Sequence, residues 1–99
     1  DELYLDNALT INYDGMHQIT TTFDDLKLKY LPSVTNFVTL IFKDGISAKE
    51  FTQTMLEHGV ILRHLIGFGL PECVRVTIGT TDENKFFIKK INKIMEQTL

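Results

Sequence analysis

Arginine is scarce in this chain. Arg63 and Arg75 are the two it has, and each stands in a short, mostly apolar run on either side of one glycine-containing loop at residues 66–71. A guanidinium carries a permanent charge and a planar fork of donors that matches the paired oxygens of a carboxylate or a phosphate. A single arginine on a strand is more often a surface or ion-paired residue. Two that flank one loop can converge on one ligand, so the pair forms a candidate anion site. The other reactive side chains form no constellation. His17, His58 and His64 have no metal-ligand spacing with one another or with Cys73, and surface or capping roles are expected; His64 alone adjoins the candidate cleft. Cys73 opens an apolar run and is expected to be a small buried hydrophobe. Gly67-Phe68-Gly69 is too short and too apolar to cradle a dinucleotide phosphate; it reads as a mobile loop whose Phe68 can close over the cleft. Phe86 and Phe87 are expected in the core, and Asp24-Asp25 at a solvated turn or helix end.

The elements that must position the arginines can be read from periodicity. Leu5, Leu9, Asn12/Tyr13, Met16, Ile19, Phe23 and Leu26 recur at intervals of three and four, the spacing of one helical face. Gly15 costs such a helix about 1 kcal/mol against Ala, and the β-branched run Ile19-Thr20-Thr21-Thr22 marks where a break would fall. Lys27-Leu28-Lys29-Tyr30-Leu31 alternates as a short edge strand protected by its lysines, ended by Pro32-Ser33. Asn36-Phe37-Val38-Thr39-Leu40-Ile41-Phe42 suits a central, buried strand, and Asp44-Gly45 a turn.

Ser47-Ala48-Lys49-Glu50 has capping-box spacing, with Ile46 and Phe51 placed for a hydrophobic staple. His58-Gly59 ends the helix that follows, glycine being free to turn left-handed there. Val60-Ile61-Leu62-Arg63 and Cys73-Val74-Arg75-Val76-Thr77-Ile78-Gly79 read as strands. Thr80-Thr81-Asp82-Glu83 is a second capping box, opening an amphipathic helix with Phe87, Ile91, Ile94 and Met95 inward. The expected fold is α+β: a small mixed β-sheet with helices packed on it, in the order α-β-β-α-β-β-α.

Composition bounds the rest. The 99 residues are 43% hydrophobic and 23% charged, which suits one folded domain over residues 1–99. A net charge of −3 argues against nucleic acid, which selects basic faces. No apolar run approaches the roughly 20 residues of a membrane helix, and no cleavable leader is visible. A lone cysteine cannot close an internal disulfide, so a reducing cytoplasm is expected. Residue 1 is Asp and not Met, so the natural chain is expected to carry something before it.

Gly59-Val60-Ile61-Leu62-Arg63, Gly67-Phe68-Gly69-Leu70-Pro71, Cys73-Val74-Arg75-Val76-Thr77-Ile78-Gly79-Thr80 and Glu83-Asn84 stand in an order and spacing that resemble the end of the histidinol-phosphate aminotransferases. Pro32-Ser33 followed by Asn36-Phe37-Val38 resembles the strand that opens the small domain in that family. The likeness covers residues 28–90 or so, and the joint pattern carries it, since "GV-x-x-R" and "IRVTIGT" each occur across related aminotransferases. It implies the C-terminal small domain of a fold-type-I enzyme that transfers an amino group through pyridoxal phosphate, with histidinol phosphate and glutamate/2-oxoglutarate as substrates, in histidine biosynthesis. Arg75 matches the arginine that binds a substrate α-carboxylate, and Arg63 the one that helps hold the distal end, the phosphate of histidinol phosphate or the side-chain carboxylate of glutamate. Histidinol phosphate has no α-carboxylate, so Arg75 would serve glutamate in one half-reaction and the phosphate in the other. The resemblance implies that the Schiff-base lysine and the residues holding the cofactor ring lie in a large domain upstream, and the eight lysines here read as edge or helix-surface residues. The chain alone is then expected to be inert, and the full-length enzyme a homodimer. A threonine-phosphate decarboxylase, an aromatic-amino-acid aminotransferase and a stand-alone binding domain are the rival readings.

Overall fold

Val38, Leu40, Val74 and Val76 alternate along two neighbouring strands, and all of them are buried. That alternation gives the sheet one dry face, and three helices close over it. A computed structural model describes the backbone of residues 2–32 and 36–98, and the side chains of residues 13–31 and 36–96. In order, the elements are α1 (Glu2–Asp25), β1 (Lys29–Pro32), β2 (Phe37–Ile41), α2 (Gly45–Glu57), β3 (Arg63–His64), a 3-10 turn (Leu65–Phe68), β4 (Cys73–Thr77) and α3 (Thr81–Thr98). The strands form one four-stranded sheet in the order β1-β2-β4-β3. The expected α+β class and element order are thus observed. The sheet itself is not mixed, because each described pairing is antiparallel. The reason is topological: β2 and β3 run the same way across the α2 crossover, and β4 fills the gap between them in the opposite sense, a split βαβ unit.

Ile19 and Phe23 of α1, Ala48, Phe51 and Met55 of α2, and Phe87, Ile91 and Ile94 of α3 join the sheet's inward valines and leucine in one cluster. The phase read for α1 holds from Met16 to Leu26, but Tyr13 is exposed, and Leu5, Leu9 and Asn12 lie outside the described side chains. No break occurs near Thr20. The hydroxyls of Thr20 and Thr22 donate to the carbonyls of Met16 (2.8 Å) and Gln18 (2.9 Å), one turn back, which keeps these β-branched residues inside the helix. Helix α1 ends in a Schellman motif: Leu28 N–H donates to Phe23 O at 2.9 Å and Lys27 N–H to Asp24 O at 3.1 Å. Lys27 takes the left-handed conformation, φ 59°, so β1 starts two residues later than its alternation suggested. The Tyr30 hydroxyl ties β1 back to the helix end by donating to Asp24 Oδ1 at 2.9 Å. That bond holds the Tyr30 pKa above its ordinary value.

The cap of α2 is Asp44 rather than Ser47. Asp44 Oδ1 accepts from Ser47 N–H at 2.8 Å, which moves the helix start upstream and leaves Ile46 exposed, so no staple forms with Phe51. Aspartate is at least as good an N-cap as serine, and Gly45 can then sit close against Pro71, 3.0 Å from where a Cβ would stand to the ring Cβ. The far end is as expected. Gly59, φ 87°, completes a second Schellman motif in which Val60 N–H donates to Met55 O at 2.9 Å and Gly59 N–H to Leu56 O at 3.0 Å. The Thr80 box also forms: Glu83 N–H donates to Thr80 Oγ1 at 3.2 Å and Thr80 N–H to Glu83 Oε1 at 2.9 Å. The backbone amides they bind hold the Asp44 and Glu83 carboxyls below the usual range.

Gly15 has a structural reason. A methyl there would overlap the Asn84 side-chain amide and stand 2.8 Å from Ile78 Cγ2. Asn84 is buried, accepting from Gly79 N–H at 2.9 Å and donating to Gly79 O at 3.2 Å. Gly15→Ala gains about 1 kcal/mol of helix propensity but must displace this paired amide, an overpacking cost of about 1–3 kcal/mol. The expected net result is a lower midpoint in urea unfolding of the protein. An unchanged or raised midpoint would mean that α1 and α3 separate without cost.

Candidate functional site

Arg63 and Arg75 are register partners across β3 and β4. Residues directly opposite in an antiparallel ladder project from the same face, with Cβ atoms about 4.5–5.5 Å apart. The same row continues through Thr39 on β2 to Leu31 on β1. Val74 and Val76, which flank Arg75, face the helices, so the row Leu31-Thr39-Arg75-Arg63 lies on the helix-free face. Arg63 is exposed and Arg75 half-buried. The fold thus sets the two arginines side by side on one face.

Like charges directly opposite one another destabilise a sheet, and no carboxylate among the described residues pairs with either guanidinium. Aromatic rings stand where acids would. Arg75 Cζ lies 5.1 Å from the centroid of Phe37, and Arg63 Cζ lies 6.0 Å from that of Phe68, within or at the limit of cation–π attraction. A ring steadies a guanidinium without neutralising it, so the pair keeps its charge for an anion. The two arginines border a groove of about 510 Å³ together with Ile61, Leu62, His64, Gly67, Phe68 and Thr77. Such a volume takes a small molecule. A neighbouring groove of about 590 Å³ between the segment Gly59 to Leu62 and the start of α3 presents Asp82 and Glu83 and no cation. Its charge is wrong for an anion.

Local chain geometry sets the arginines in place. The strand expected over residues 60–63 is shorter, pairing at Arg63 and His64 alone, because the Schellman motif occupies Gly59 and Val60. The expected mobile loop contains one turn of 3-10 helix, anchored by buried Leu65 and closed by Gly69 at φ 77°. Phe68 projects from it, 65% exposed, beside Arg63. His64 borders the groove, but its register against Val74 turns it to the other face. Its Nε2 donates to the Pro71 carbonyl at 2.6 Å, so it pins the corner of the loop and does not join the arginines.

The remaining candidates fall where expected, with the exception of Phe86, which was expected in the core and is exposed. His58 caps α2 and its Nδ1 donates to Thr54 O at 2.9 Å, while His17 is exposed. Cys73 is buried, and burial followed by the nearby Glu72 carboxylate pushes its thiol up. Phe87 is core, whereas Phe86 is 45% exposed, with Lys90 Nζ 5.3 Å from its ring. Every lysine is exposed except half-buried Lys90. Phe37 is the residue that sequence reading missed. It is one alternation away from Thr39, and only the register Phe37↔Thr77 and Thr39↔Arg75 makes it a diagonal neighbour of Arg75.

Known proteins share both the sequence and the fold. The family model Aminotransferase class I and II matches residues 12–91. Histidinol-phosphate aminotransferase 1 of Nitrosococcus oceani is 41% identical over 98% of this chain and 26% of its own length. The corresponding protein of Dechloromonas aromatica is 40% identical over 96% of this chain and 25% of its own. The crystal structure of histidinol-phosphate aminotransferase from Sinorhizobium meliloti, in complex with pyridoxal-5'-phosphate, superposes with a TM-score of 0.84 at 22% identity, covering all of this chain and 28% of that one. This chain thus spans about a quarter of the length of the curated relatives it matches. On the family match across most of its length, the chain belongs to the aminotransferase class I and II family.

Proposed function

We propose that this chain is the C-terminal small domain of a pyridoxal-phosphate-dependent aminotransferase that exchanges an amino group between histidinol phosphate and 2-oxoglutarate in histidine biosynthesis, and that Arg63 and Arg75 bind the substrates' anions. The observation that carries this reading is the register pairing of the two arginines on an open face, with no acid among the described residues to neutralise them. The similarity to histidinol-phosphate aminotransferases over nearly the whole chain supports the choice of substrate.

Pyridoxal phosphate supplies the electron sink of transamination when it is bound. Its covalent anchor is a lysine, and the described lysines are surface residues far from a buried seat, so this chain's residues do not fit that role. They fit the substrate end. Arg75, half-buried and ring-backed, would take the α-carboxylate of glutamate and, in the other half-reaction, the phosphate of histidinol phosphate. Arg63, exposed beside Phe68, would help hold the distal end, the phosphate of histidinol phosphate or the side-chain carboxylate of glutamate. A bidentate fork suits both anions, and charge-assisted pairs of this kind fix orientation as well as affinity. The large domain would precede this one, the full-length protein would be a cytoplasmic homodimer, and the 99-residue chain alone would be inert. No described helix is long and apolar enough to cross a membrane.

The deciding experiment is substrate profiling of the full-length protein. Glutamate formation from 2-oxoglutarate should be fastest with histidinol phosphate, and absent with the isolated chain. Faster transamination of aromatic amino acids, or decarboxylation of threonine phosphate, would replace this reading with a sister activity.

A further inference from the structure

The two arginines are unequal in how they are held, and the inequality points to a residue with a role of its own. Arg75 lies closer to its ring than Arg63 does, at 5.1 Å against 6.0 Å. Phe37 is also a strand residue, locked by pairing with Thr77, whereas Phe68 hangs from an exposed turn. Diagonal neighbours on one face of a sheet lie within reach of long and aromatic side chains, so the Phe37–Arg75 contact is set by the ladder itself. On the other flank of Arg75, Arg63 repels it. A guanidinium with a repelling neighbour and no acid would otherwise explore many rotamers. The quadrupole of the Phe37 ring attracts it without occupying its in-plane donors.

We propose that Phe37 is a positioning residue for Arg75, a platform that pre-orders its donor fork for carboxylate or phosphate. The inference rests on the proposed function, since it presupposes that Arg75 binds substrate anions. Pre-ordering acts on binding free energy, so its signature is in affinity and KM and not in the chemical step.

The test uses the full-length protein with its cofactor, and unreactive anions as probes: glutarate and inorganic phosphate, titrated by calorimetry. Phe37→Leu is expected to weaken both by about fivefold, a loss of the size of one partly desolvated cation–π contact. It should raise KM for both substrates and leave kcat nearly unchanged. Phe37→Tyr should restore binding and Phe37→Trp should match or exceed the parent, because attraction follows the ring and not its apolar volume. If Phe37→Leu does not fold, the Trp and Tyr variants still test the ranking. Arg75→Lys separates the two ideas. Weakened anion binding in Arg75→Lys with an unchanged Phe37→Leu, or Trp and Tyr variants that bind no better than Leu, would overturn the platform and leave the proposed function standing. Unchanged binding in Arg75→Lys would overturn both.

Discussion

Arg75→Ala in the full-length protein is expected to lower kcat/KM for transamination by about 10²- to 10³-fold, because a bidentate pair of charge-assisted hydrogen bonds is lost, about 3–4 kcal/mol. Its effect on folding should be of the opposite kind. Arg75 has no acid partner among the described residues and faces Arg63 directly across the ladder, so removing it relieves a like-charge contact. Activity should therefore fall with the melting temperature unchanged or slightly raised. Arg75→Lys keeps the charge and loses the fork, so it should recover only part of the activity. Steady-state kinetics and a thermal melt on the same samples make the check. A variant that loses stability and activity together would mark Arg75 as a packing residue, and the anion site would fall with that result.

The largest stability effect belongs to Phe23. It is fully buried, its ring tilted at 5.6 Å from Tyr30 and edge-on at 6.0 Å from Phe87. It therefore joins α1 to the first strand and to α3. Phe23 O also accepts the bond from Leu28 that ends α1, so the cavity would open beside the helix stop. Phe23→Ala is expected to cost about 3–5 kcal/mol, a large share of the roughly 5–15 kcal/mol that holds a domain together. Phe23→Leu fills most of the space and should cost much less. Urea unfolding would show the difference as a shift in midpoint. A small loss for Ala would mean that α1 slides to fill the hole.

Periodicity made the helices legible, because Ile19, Phe23, Phe87, Ile91 and Ile94 repeat at helical spacing and all are buried. Local chemistry made two of the ends legible as well, at Gly59 and at the Thr80 box. At the start of α2 the sequence reads as a turn at Asp44-Gly45 and a cap at Ser47, whereas Asp44 caps the helix. The closeness of Gly45 to Pro71, a contact between residues distant in the chain, goes with the upstream start. Gly15 is similar: in the sequence it is a cost to a helix, and in the fold it is room for Asn84. The arginines could be recognised as a pair by their scarcity and their flanking of one loop. That they stand opposite each other, and that Phe37 lies beside one of them, depends on strand register, which neither composition nor local propensity encodes.

The position of β4 has a consequence for the order in which this chain can fold. β4 is the last of the described strands in sequence and yet it separates β2 from β3. Until residues 73–77 have left the ribosome, the two earlier strands have open edges, a hazard for association with other chains. Insertion of β4 closes that gap, buries Val74 and Val76, and brings Arg75 opposite Arg63 in one event. The proposed anion site is thus assembled only when β4 takes its place between β2 and β3.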